Sequence, residues 1–77
     1  MIDAGIREND LLIVDKSLEA TNGKIVIAVV KGDFTVKKLQ KIKDELYLVP
    51  GNKKFEPIKL GEGDYIWGVV TSVIHQF

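Results

Sequence analysis

Two apolar, β-branched runs set back to back around a glycine constrain this chain more than any other feature: "KIVIAVVKG" (24–32) and "DFTVKKL" (33–39). Unbroken valine and isoleucine suit a pleated, half-buried surface and lose side-chain freedom in a helix. Gly32 allows the chain to turn straight back, so the two runs are read as an antiparallel hairpin. The rest of the sequence follows the same grammar. "DLLIVDK" (10–16) is a short buried strand, and Asn22-Gly23 marks a tight turn ahead of the hairpin. "ELYLVP" (45–50) is a two-faced strand ended by Pro50, which has no N–H to donate. Gly51-Asn52 makes a turn, "EPIKL" (56–60) a short edge strand, and "GEGD" (61–64) a second glycine loop. "YIWGVVTSVIHQF" (65–77) is a long strand bent or bulged at Gly68. No segment keeps a helical period; "KLQKIKDEL" (38–46) reads as a strand tip and loop. Roughly five to seven short strands joined by glycine turns predict an all-β fold, a small folded sheet, open barrel or sandwich.

Length and charge narrow the function. Seventy-seven residues allow one small domain, 1–77, with a small core that often leans on a partner. The chain has no cysteine, which excludes disulfides and thiolate–zinc sites and fits a reducing compartment. Eleven basic and eleven acidic residues cancel, which argues against direct nucleic-acid binding. No apolar run approaches the ~20 residues of a membrane span. "MIDAGIREND" lacks the basic-then-apolar layout of a signal peptide. A cytoplasmic protein with no membrane contact, no metal and no cofactor is expected.

Few residues offer chemistry. His75 is the sole histidine and cannot anchor a zinc site unaided; it is expected to face solvent on the last strand. Asp3, Glu8, Asp10 and Asp15 lack the spacing of a calcium loop and read as a solvated rim. Phe55, Tyr65 and Trp67 are expected as core or interface aromatics. Lys31, Lys37, Lys38, Lys41 and Lys43 make a basic stretch that acids interrupt. Within it, Lys37 and Lys38 are adjacent on a strand, so one of them must face the covered side. The plain account is a lysine stem lying over apolar surface with its ammonium in water. The chemical account is a general base: a lysine made neutral by burial can take a proton from a serine hydroxyl. The serines present, Ser17 and Ser72, lie at a turn and within the last strand, neither a setting that presents a nucleophile.

The stretches "NDLLIVD", "GKIVIA" and "GDFTVKKLQ", followed by "LVPGNKKFEPIKL" and "WGVVTSVIH", resemble the C-terminal peptidase domain of the LexA/UmuD family. These are the serine–lysine self-cleaving proteins of the bacterial SOS response. The similarity covers about residues 1–75 and looks closest to the UmuD branch. It implies that Lys37, the first lysine of the Thr-Val-Lys motif, is the general base, and that Lys38 is an outward charge. In the family the nucleophilic serine stands immediately before a methionine that aligns with Met1. The resemblance therefore places Met1 beside the nucleophile, one residue beyond the start of this sequence, together with a missing N-terminal strand. Asn9 replaces the family's usual glycine.

By resemblance, the parent protein is a UmuD-like accessory subunit of an error-prone DNA polymerase, cleaving itself when stimulated by the RecA filament. The 77-residue chain alone is expected to lack peptidase activity. Two alternatives stand beside this: a non-enzymatic homodimer or docking module, paired through the long final strand, and the C-terminal domain of a LexA-like repressor.

Overall fold

The structure, a computed structural model, describes residues 6–50 and 56–75. Its organising element is the expected hairpin. Lys31 and Gly32 both take positive φ, 51° and 83°, between the paired residues Val30 and Asp33. A two-residue loop of this handedness matches the right-handed twist of the strands it joins. Those strands are β2 (Ile25–Val30) and β3 (Asp33–Ile42). Before them comes β1 (Leu11–Asp15), and after them β4 (Glu45–Val49), β5 (Ile58–Lys59) and β6 (Tyr65–Ile74). All pairings are antiparallel, and the six strands form one open sheet in the order β1-β6-β2-β3-β4-β5.

The expected loop within 38–46 is replaced by a second tight hairpin. β3 continues to Ile42, which pairs with Glu45 across Lys43 and Asp44. Both loop residues adopt positive φ, 49° and 67°, without a glycine. Aspartate tolerates this region better than most L-residues, and the β3–β4 ladder from Ile42–Glu45 to Lys38–Val49 holds the turn in place.

One face of the sheet carries the core. Val26, Ala28, Leu39, Leu48 and Val69 are almost wholly buried there, with Ala20, Val30, Leu46, Leu60 and Ile66 packed around them. In β2, β3 and β4 these residues follow period two, and the register sets Val26 against Val69 and Leu39 against Leu48. The loop before β2 closes over this face, tied down by Gly23 N–H to the Leu39 carbonyl (2.8 Å) and Lys41 N–H to the Asn22 side-chain oxygen (2.8 Å).

β6 is interrupted twice. Opposite Ile27 and Ala28 the register steps from Gly68 to Ile66, leaving Trp67 as an extra residue. Opposite Ile13 and Val14 it steps from Ser72 to Val70, leaving Thr71, whose hydroxyl donates to the Ile13 carbonyl (3.2 Å). The expected irregularity at Gly68 thus falls one residue earlier. Gly68 has a different reason to be glycine: a Cβ there would collide with Val14 Cγ1. The two halves of β6 also have different neighbours. Residues 65–69 pair with β2 and residues 69–74 with β1. On its side away from β1, the 70–74 half meets no strand among the described residues.

Candidate functional site

Alternation along β3 decides between the two lysines. Leu39 is 1% exposed on the core face, so Lys37, two residues away, lies on that face and Lys38 on the other. Lys37 is half-buried and pairs with Val26, itself fully buried; Lys38 is exposed. The Lys37 ammonium donates to the Thr35 hydroxyl at 2.6 Å and to the Val36 carbonyl at 3.3 Å. Thr35 sits two residues before Lys37 on the same face. It was not among the residues expected to matter, although Thr-x-Lys spacing on a strand is the signal for such a pair. Pairing of β3 with β4 begins at Lys38–Val49, so Lys37 lies just past the end of β4. The arrangement is a stem supported by apolar neighbours, a head held by two oxygens, and a strand edge that no strand among the described residues covers beyond β4.

Neither serine approaches it. Ser17 uses its hydroxyl on Asp15 Oδ1 (2.6 Å), and Ser72 lies in the part of β6 paired with β1, with β2 between β6 and β3. Met1, expected beside the nucleophile, lies outside the described residues, as do Asp3, the Gly51-Asn52 turn and Phe55. A hollow of about 320 Å³ lies beside Lys38 rather than Lys37, lined by Asn22, Gly23, Lys38, Leu39, Gln40 and Val49.

The acidic rim needs correction at Asp10. Its side chain is only 3% exposed, because His75 and the turn at residues 7–10 enclose it. The carboxylate accepts from Arg7 N–H at 2.7 Å and lies 2.8 Å from His75 Nδ1. The Arg7 amide, opposed by burial and aided by His75, holds Asp10 below the ordinary carboxylate value. His75 is half exposed, as expected, but it follows β6 and ties the end of that strand to the turn that opens β1. Of the two roles expected for Tyr65, core or interface, its 52% exposure leaves the second. Among the described residues, no group of three or more His, Cys, Asp or Glu is placed to hold a metal ion. None of their helices is long and apolar enough to cross a membrane.

The fold and the lysine define a class. The family model described as Peptidase S24-like matches residues 1–71, and the chain belongs to that family. Among curated relatives, it is 48% identical over 64 residues to a LexA repressor of Bordetella avium, covering 83% of this chain and 30% of the relative. It is 42% identical over 78 aligned positions to LexA repressor 1 of Xanthomonas campestris, covering 99% of this chain and 39% of that protein. A LexA repressor of Carboxydothermus hydrogenoformans is 38% identical across the whole chain, again over 39% of its own length. The chain thus spans well under half the length of these relatives. Their shared name is LexA repressor, whereas the motifs had pointed first to the UmuD branch.

Proposed function

We propose that this chain is the peptidase-domain portion of a LexA-like repressor, a self-cleaving SOS-response protein, in which Lys37 is the general base. The observation that carries the site is the placement of Lys37 on the core face of β3, paired with Val26 and just past the last β3–β4 pair, Lys38–Val49. In that role the Lys37 amine takes a proton from a serine hydroxyl presented at the same edge. The hydroxyl of Thr35 at 2.6 Å fixes where that amine points. The serine expected immediately before Met1 would then pass its proton to Lys37 and form an acyl ester as the peptide C–N bond breaks, Lys37 returning the proton to the leaving amine. The similarity to LexA repressors over nearly the whole chain supports this reading over a polymerase accessory role.

The test uses the gene product isolated from its own cells. Its intact mass and N-terminal sequence establish whether Ser-Met is read through. A time course of self-cleavage then compares the native protein with Lys37→Arg. Arginine keeps the charge and much of the stem but does not deprotonate, so cleavage is expected to stop while the fold persists. Undiminished cleavage by Lys37→Arg would remove Lys37 from the mechanism.

A homodimer is part of the same reading. The 70–74 half of β6 offers an unpaired edge among the described residues, with Ile74 46% exposed on that strand and Leu11 and Ile13 about half exposed on β1 across it. Such an edge favours pairing with a second copy. Sedimentation across a concentration series checks it; a monomer at every concentration would count against it.

A further inference from the structure

The face of the sheet opposite Lys37 carries an aromatic cluster with lysines beside it. Phe34, Val29 and Tyr65 form one cross-strand row near the Lys31-Gly32 turn. Val29 is 7% exposed, while Phe34 and Tyr65 on either side of it are 64% and 52% exposed. Trp67, the extra residue of the β6 irregularity, meets Phe34 edge-on, with ring centroids 5.7 Å apart and planes at 89°. The Lys16 ammonium lies 4.7 Å above the same indole. Lys38 shares this face further along β3, two alternations beyond Phe34.

Charge on this face is one-sided. The acidic residues of β1 and β3, Asp15 and Asp33, pair with Val69 and Val30 and so belong to the core side. Glu45 lies on the lysine side, but at the far end of β4, where Lys59 engages it at 3.1 Å. Among the described residues, this face carries Lys16 over Trp67 and Lys38 four residues along β3 from Phe34, neither in an ion pair, with Lys31 at the turn beside the aromatic row. Exposed aromatic clusters of this kind are the usual anchors of protein–protein contacts. A lysine already held over an indole loses less freedom when a carboxylate arrives than a lysine free in water.

We propose that this face docks an acidic peptide segment of a partner protein, with its aromatic or aliphatic side chains on Phe34 and Tyr65 and its carboxylates on Lys16 and Lys38. Single-stranded nucleic acid is the weaker fit. One face of Trp67 is occupied by an ammonium, its neighbour Phe34 is already engaged with it, and the chain has no net positive charge to neutralise phosphates. The surface lies on the other side of the sheet from Lys37, so the proposal stands apart from any peptidase reading.

Trp67 is the only tryptophan, so its emission reports this face directly. The 77-residue chain is titrated with a synthetic peptide alternating Asp/Glu with Leu/Phe, with circular dichroism confirming the fold of each variant. A saturable emission change is expected. It should require about tenfold more peptide in Lys16→Glu, weaken likewise in Phe34→Ser, and be unchanged in Lys41→Glu on the core side. Any of four results overturns the proposal. These are no saturable response, an equal response to a peptide with lysines in place of the acids, stronger binding of oligothymidylate, or the same emission change on raising the chain's own concentration, which would make a second copy the occupant.

Discussion

Lys37 and Lys38 are neighbours in the chain and strangers in the fold. Lys37 shares its face with Val26, Leu39 and Val69, is half-buried, and donates hydrogen bonds to the Thr35 hydroxyl and the Val36 carbonyl. Lys38 shares its face with Phe34, Tyr65 and Trp67 and is exposed. The same side chain is thus a candidate for proton transfer on one side of a strand and for charge recognition on the other. Position on the strand, not residue type, makes the difference, because alternate side chains point to opposite faces of the sheet.

The largest test of that contrast is to empty the covered face. Leu39→Ala removes the largest wholly buried side chain and should cost about 2–5 kcal/mol in denaturant unfolding. Lys38→Ala, one residue away, should stay within about 0.5 kcal/mol. Equal losses would mean that both faces are covered in solution. Gly68→Ala tests the close approach of β1 to β6. Collision with Val14 should cost about 1–3 kcal/mol and expose the β1 amides to hydrogen exchange.

The two hairpins sharpen the comparison further. Gly32→Ala places a Cβ at φ 83° and should destabilise by about 1 kcal/mol. Asp44→Gly relieves a non-glycine at φ 67° and should stabilise by a similar or smaller amount, about 0.5–1 kcal/mol. Thermal unfolding of both variants reads opposite signs if the turns are as described.

Acid supplies a smaller effect. Asp10, Asp15 and Asp64 are all held below the ordinary value of 3.8 in the folded chain. The leading causes are the Arg7 amide, the Ser17 hydroxyl and the Lys31 amide respectively. Groups shifted down stabilise the fold above their unfolded value, and this contribution is lost as pH falls through the folded value. The melting temperature should therefore hold above about pH 5 and drop below about pH 4, and Asp10→Asn should flatten part of that drop. The smallest effect belongs to Glu45–Lys59, whose side chains are about half exposed. Lys59 bonding lowers the Glu45 value, and Glu45 raises that of Lys59. The pair helps above the unfolded glutamate value of 4.5 and below the unfolded lysine value of 10.5. Its contribution fades as pH falls through the folded glutamate value or rises through the folded lysine value. Salt should erase most of it, as read by unfolding in dilute and concentrated chloride.

Much of this molecule was legible from neighbouring residues alone. Runs such as "IVIAVV" and "LLIVD", with glycine at 23 and 32, specify strands and turns because backbone preference is local. The motif "GDFTVKKLQ" also carried the family and, through it, a role for Lys37. The Lys43-Asp44 turn was not legible, since lysine does not announce positive φ and the β3–β4 pairing around the turn holds it there. The clasp between Asp10 and His75, sixty-five residues apart, was equally hidden. Period two required that Lys37 and Lys38 face opposite ways, and that much is a property of any strand. Which of them is covered depended on Val26 and Val69 arriving on the same side as Leu39. Burial is a relation between strands distant in sequence, so only the folded sheet could decide it.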